Sequence, residues 1–147
     1  MTFTTEIDIQ VPFFDVDSMY MAWHGHYAKY FELARCDLLE KIGHDYDAMF
    51  ASGYSWPVVD MRIRYMRPLR FNQYARIAAT LRRWDQQLRI SYVIRERDTG
   101  AKMARGYTLQ APIDMTTGAM FHGQPTAVTE ALQRAGLAPT GTPEQPT

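Results

Sequence analysis

From Phe3 to Phe13 the side chains alternate. Thr5, Ile7, Ile9, Val11 and Phe13 fall on one side, and Glu6, Asp8 and Gln10 on the other. A period of two predicts a half-buried strand. The alternation breaks between Asp15 and Trp23, a stretch that reads as loop and carries two acids, Asp15 and Asp17. From Gly25 to Ile42 the period turns helical. Tyr27, Tyr30, Phe31, Ala34, Leu38 and Ile42 form one wide stripe, with Lys29, Glu32 and Glu40 opposite. So aromatic a stripe suits a helix pressed along its length onto a sheet, and Gly43 is a plausible stop. His44 to Gly53 is a connector with room for one more helical turn.

The second half reads as strands. Val59, Met61, Ile63 and Tyr65 alternate with Asp60, Arg62 and Arg64. Ile77, Ala79 and Leu81 alternate with Arg76, Ala78, Thr80 and Arg82, and Leu88, Ile90, Tyr92 and Ile94 with Arg89, Ser91, Val93 and Arg95. In the last run Met103, Tyr107 and Leu109 are assigned to the apolar side against Lys102, Ala104, Gly106 and Thr108, with Arg105 interrupting. Turn signals at Arg67–Asn72, Asp85-Gln86, Asp98-Thr99-Gly100 and Thr116-Thr117-Gly118 separate the runs, and the close spacing of the last three predicts antiparallel hairpins. Pro125 to Ala135 suits a short closing helix ended by Gly136. One long helix and five strands bury the aromatic stripe most economically when the helix lies across one face of a single antiparallel sheet, an α+β arrangement.

Composition narrows the function. The 147 residues suffice for one domain, set at 1–136, with a Pro-, Thr- and Gly-rich tail at 137–147 expected to be disordered. Sixteen basic and sixteen acidic side chains cancel, which gives no electrostatic support for a nucleic-acid partner or a membrane surface. No apolar run is long enough for membrane insertion, no signal peptide is visible, and the one cysteine, Cys36, suits a reducing cytoplasmic setting. His24-Gly25-His26 has the look of a metal-ligand pair, but no further ligands stand at suitable spacing, so neither a metal nor a cofactor is expected. Glu32 and Arg35, three apart on a helix, are expected to form an ion pair.

A carboxylate and an imidazole beside a predicted helix N-terminus are the ingredients of an active site, although a loop Asp ahead of a helix is most often a cap or turn former. The segment VPFFDVDSMYMAWHGHYAKYFELAR, residues 11–35, resembles the opening of hotdog-fold thioesterases of the 4-hydroxybenzoyl-CoA thioesterase family. Asp15-Val16-Asp17 matches the family's acid-x-acid pair. Trp23-His24, the aromatic helix and Glu32–Arg35 match the family's next turn and helix. Tyr65-Met66-Arg67-Pro68-Leu69-Arg70 resembles a downstream family segment, and Asp114–Gly118 with Pro125 resembles the closing turn.

The resemblance implies a hotdog fold, a five-stranded antiparallel sheet wrapped around one long central helix, assembled as a homodimer or homotetramer with active sites at the subunit interface. It implies hydrolysis of an acyl-CoA or acyl-carrier-protein thioester. The catalytic carboxylate of the family lands on Asp17, and the helix start facing the thioester carbonyl lands on His24 and Gly25. Tyr20, Trp23, Tyr27, Arg67 and Arg70 are the candidates for contacting substrate. Asp15 is expected to be structural and Cys36 a bystander. Position 20 is usually Gly in the family, and a Tyr there is expected to narrow or reshape the acyl pocket. The turn Trp84-Asp85-Gln86-Gln87 lacks the basic residues with which some members hold coenzyme A phosphates, leaving Arg62, Arg64, Arg67, Arg70, Arg82, Arg83, Arg89 and Arg105 as alternatives. Two other readings stay open: a non-catalytic acyl-binding or assembly subunit, and a hotdog hydratase or dehydratase.

Overall fold

The N-terminal alternation folds as β1 (Phe3–Gln10) in the computed structural model, which describes residues 3–137. Val11 still donates to the Gln73 carbonyl at 2.9 Å. Pro12 then has no N–H with which to continue a ladder, and the chain turns through a 3-10 segment at Phe13–Asp15. Phe13, expected on the buried side, is instead 66% exposed. A second 3-10 segment, His24–His26, leads directly into α1 (Tyr27–Ile42). All six stripe residues of α1 are buried, and Gly43 ends the helix at φ +86, its N–H bonded back to Glu40 and Leu39. The connector holds α2 (Tyr46–Ala51), capped by the Asp45 carboxylate on the Ala48 N–H at 2.9 Å.

Next come β2 (Tyr54–Ser55), β3 (Val58–Tyr65), β4 (Tyr74–Trp84), β5 (Leu88–Glu96), β6 (Lys102–Gln110), β7 (Ile113–Asp114) and α3 (Thr126–Arg134). Five strands form one antiparallel sheet in the order β1-β4-β5-β6-β3, and β2 pairs with β7 as a small separate ribbon. This is the expected α+β arrangement, with α1 laid across one face of the sheet. The pairing puts Ile7 opposite Ile77, Ala79 opposite Tyr92, and Gly106 opposite both Tyr92 and Ile63. Leu137, expected to begin the tail, is buried in the core. The rest of that segment, 138–147, lies outside the described residues. Among the described residues no helix is long and apolar enough to cross a membrane.

Two strands depart from the sequence reading. In β6 the row facing the helix is Ala104, Gly106, Thr108 and Gln110, and Tyr107 and Leu109 share the outer face with Arg105. The large apolar residues misled the pattern, because the helix comes too close for them. Phe31 stacks flat on Tyr92, ring centroids 4.3 Å apart, and its edge occupies the space beside Gly106. β3 keeps its alternation but is an edge strand, and Val58, Val59, Met61 and Tyr65 are all exposed. The ion pair expected on α1 is present, with Arg35 at 3.5 Å from Glu32. The Arg35 guanidinium is also buried and donates to the Tyr46 hydroxyl at 2.9 Å.

A Cβ at position 106 would sit 2.0 Å from the Arg62 carbonyl oxygen and 2.8 Å from the Phe31 ring. Gly106→Ala is therefore expected to destabilise the chain by about 2–3 kcal/mol through overpacking, read as a lower urea midpoint at unchanged slope. Wild-type stability in this variant would contradict the close packing of α1 on β6.

Candidate active site

The site begins with Asp15, one of two acids in the loop after β1. Its side chain is 2% exposed. It accepts from the Lys29 ammonium at 2.6 Å and from the Tyr30 hydroxyl at 2.7 Å, both in the first turn of α1. Its backbone carbonyl accepts from the Trp23 N–H at 2.9 Å. Burial by itself pushes the Asp15 carboxyl up, but the hydrogen bonds from Lys29 and Tyr30 and the Lys29 charge outweigh it and hold the group below the usual carboxylate range. Burial and the bond to Asp15 push the Tyr30 phenol up in turn. Asp15 thus pins the loop to the helix start.

Asp17 lies two residues further on and is exposed. One oxygen, Oδ1, accepts from the N–H groups of Met19 at 2.8 Å and Met21 at 3.3 Å, a side-chain-closed turn. The other, Oδ2, has no partner among the described residues. Within this turn Tyr20 adopts φ +60, the left-handed region that favours glycine. That backbone demand accounts for a glycine serving well at this position. The Tyr20 side chain is 61% exposed. Tyr20 is not among the residues that line the cleft of the single chain.

The second half of the site is the His24–His26 segment. Its third residue, His26, bonds back to the Trp23 carbonyl at 2.9 Å. The N–H groups of His24 and Gly25, ahead of the first helical bond, have no acceptor among the described residues, as expected of a helix start without a capping side chain. The Trp23 indole lies directly over Gly25, where a Cβ would come within 2.2 Å of the ring, and it also contacts both neighbouring imidazoles. Tyr65, at the end of β3, donates its hydroxyl to the His24 carbonyl at 2.7 Å and packs edge-on against Tyr27 at 4.9 Å. Burial pushes both phenols up; for Tyr27 a hydrogen bond from the Leu69 N–H offsets part of the rise. Both stay protonated in the neutral range.

A cleft of about 310 Å³ opens where these parts meet. Asp17, His24, Tyr27 and Arg67 line it, four of the residues picked out in the sequence. Gly25 and Trp23 sit beside it, and Arg70 is not on its wall. Met21, Ala22, Tyr65, Met66 and Pro68 complete the lining and were not singled out as site residues. Tyr65, Met66 and Pro68 lie within the Tyr65–Arg70 segment that carries the downstream resemblance. Backbone bonds explain why that segment forms a wall: Ala22 donates to Leu69 at 2.8 Å and Phe71 donates to Tyr20 at 3.0 Å. Cys36 lies elsewhere on α1, and burial raises its thiol above the ordinary range, as fits an unreactive residue. Among the described residues no group of three His, Cys, Asp or Glu side chains is placed to hold a metal ion.

Comparison with known proteins agrees with this architecture. Residues 11–136 match the model of the thioesterase-like superfamily. The chain belongs to that superfamily, and with it to the thioester hydrolases of the hotdog fold. It is 30% identical over 129 residues to "Putative esterase sll0410" of Synechocystis sp., covering 86% of this chain and 77% of that protein. A shorter match, 32% over 68 residues, joins 46% of the chain to 49% of "Putative acyl-CoA thioesterase YneP" of Bacillus subtilis. Among solved structures the DHNA-CoA thioesterase of Staphylococcus aureus superposes with a TM-score of 0.75 at 23% identity, over 81% of this chain and 80% of that one, a likeness of fold.

The Asp15 carboxyl, held below its ordinary value, makes a stability contribution that is fully present above the unfolded carboxylate value of about 4 and disappears as pH falls through the folded value. Asp15→Asn is expected to cost about 2 kcal/mol or more near neutrality and to flatten the acid limb of a urea-midpoint-versus-pH profile. An unchanged acid limb would exclude Asp15 as the anchor.

Proposed function

We propose that the chain hydrolyses an acyl thioester delivered on coenzyme A or on an acyl carrier protein, with the reaction centred between Asp17 and the turn at His24 and Gly25. One observation carries this reading: a single cleft brings a carboxylate with an unpartnered oxygen together with the start of a helical segment.

The chemistry asks little beyond these parts. A thiolate leaves far more readily than an alkoxide, so no strong general acid is needed. Asp17 Oδ2 either takes a proton from the attacking water or attacks the carbonyl carbon itself, giving a mixed anhydride that water then opens. In both routes the carbonyl oxygen gains negative charge as the new C–O bond forms. The charge is relieved when the C–S bond breaks and the thiolate departs. Unpaired N–H groups at the helix start, with the positive end of the α1 dipole behind them, stabilise the transient oxyanion, a term typically worth about 3–4 kcal/mol. Tyr65 anchors the carbonyl of His24 and so fixes the direction of those donors. Arg67 supplies a positive wall for an anionic portion of the substrate.

The same reading includes a homodimer. Among the described residues the outer edge of β3 has no strand beside it, and its exposed Val58, Val59, Met61 and Tyr65 are the kind of surface a second copy covers. Pairing along that edge would place a second subunit beside Tyr65 and the cleft.

Thiol release from a panel of acyl-CoA and acyl-carrier-protein thioesters tests the chemistry. Asp17→Asn keeps the oxygen that closes the turn, so it is expected to fold normally and to lose at least about 100-fold in kcat. Full activity would overturn the mechanism, and no thiol release from any substrate would favour an acyl-binding subunit instead. Tyr65→Phe, lacking one hydrogen bond, should lower kcat by about tenfold or less at nearly constant KM. For assembly, sedimentation velocity should show a dimer that Met61→Lys shifts toward monomer; an unaffected dimer would exclude this edge.

A further inference from the structure

The sheet face turned away from α1 carries a second concavity, of about 330 Å³, which no step of the proposed reaction uses. We propose that it binds a small oligophosphate, such as the phosphorylated end of a nucleotide. Five arginines converge on it: Arg62 and Arg64 from β3, Arg82 from β4, Arg89 from β5 and Arg105 from β6. Strand register makes the crowding unavoidable. Arg64 stands directly opposite Arg105 on the same face, a like-charge cross-strand pair that weakens a sheet unless a counter-charge joins it. Tyr107, next along, faces Arg62 on one side and Ser91 on the other.

Several arginines elsewhere in the chain meet acids. Arg76 is 2.8 Å from Asp8, Arg83 is 2.7 Å from Asp85, Arg97 is 3.3 Å from Asp98, and Arg35 is 3.5 Å from Glu32. Among the described residues Arg62, Arg64, Arg89 and Arg105 have no carboxylate within 4.0 Å. Asp60, the nearby acid on β3, accepts from the Tyr107 hydroxyl at 3.3 Å. Arg89 lies over the Tyr107 ring at 4.3 Å, which holds the guanidinium flat and leaves its N–H edge available, and Arg82 donates to the Ser91 hydroxyl at 2.9 Å. In a chain with no net charge, this gathering of cations in one hollow is segregation, not excess.

Phosphate answers the chemistry best. Each guanidinium offers paired N–H donors that match two phosphate oxygens, and several fixed cations around one hollow call for more than the single charge of a carboxylate. A concavity of about 330 Å³ is the size of a small-molecule site. Both the nucleotide of a coenzyme A thioester and a free nucleotide carry this chemistry. The anion site does not depend on the hydrolase reading; only the comparison of KM values rests on it.

Calorimetric titration of the full chain with adenosine 3′,5′-bisphosphate, and separately with pyrophosphate, tests the site at low ionic strength. Wild type is expected to bind both, with affinity falling as salt is added. The double variant Arg64→Gln/Arg105→Gln should weaken binding by about tenfold or more. Relief of the opposed charges should leave its melting temperature equal to or above wild type, which separates a ligand role from a structural one. If KM rises for acyl-CoA and not for the matching acyl-pantetheine, the phosphate belongs to the substrate. If neither KM moves while calorimetric binding is lost, it belongs to a free nucleotide. No heat with either probe into the millimolar range, or equal affinity in the double variant, overturns the proposal.

Discussion

One buried carboxylate holds the site in register. Removing a carboxylate from water costs several kcal/mol unless hydrogen bonds and an opposite charge offset it. Asp15 meets that condition only because Lys29 and Tyr30 present their polar ends together from the first turn of α1. Its backbone carbonyl adds the Trp23 N–H, so three contacts tie the loop to the helix on both sides of the His24–His26 segment. Asp17, two residues on, takes its place relative to the helix start from this attachment. Asp15 therefore sets the geometry, while Asp17 stays exposed at the cleft with one oxygen unbonded among the described residues.

The sheet gives that arrangement a floor and a back. On the helix side, small and polar residues of β6 let Phe31 come down onto Tyr92, so α1 sits close and its N-terminal end stays fixed above β3. On the outer side, the same alternation that sends Gly106 inward sends Arg105 and Tyr107 outward, beside Arg62 and Arg64. Close packing on one face thus determines which residues crowd the other. The cleft and the arginine hollow are two results of a single strand register.

Much of this is legible in the residues. The strand at the N-terminus, the length and stop of α1, the hairpins and the closing helix come from periodicity and turn chemistry. The pairing of Asp17 with His24 comes from a motif long enough to be specific. The misreadings have physical causes. Size of the apolar residues assigns β6 to the wrong face, because a helix at close range selects for small residues, which a hydrophobicity pattern scores as polar. The two-residue strands β2 and β7 are too short for any period to register. Tyr65 reads as one more alternating residue of β3, since its bond to the His24 carbonyl joins positions 41 apart in the chain.

The Trp23 indole, laid over Gly25, has a practical corollary. Of the three tryptophans, Trp56 and Trp84 are buried in the core, and Trp23 alone is about half exposed, at 49%. Two emitters therefore report on the interior and one on the rim of the cleft, flanked by two imidazoles. Global unfolding changes the surroundings of all three. Of the three, Trp23 is the one packed against Gly25 and His24 beside the cleft, which gives the protein an intrinsic optical reporter next to its candidate chemistry.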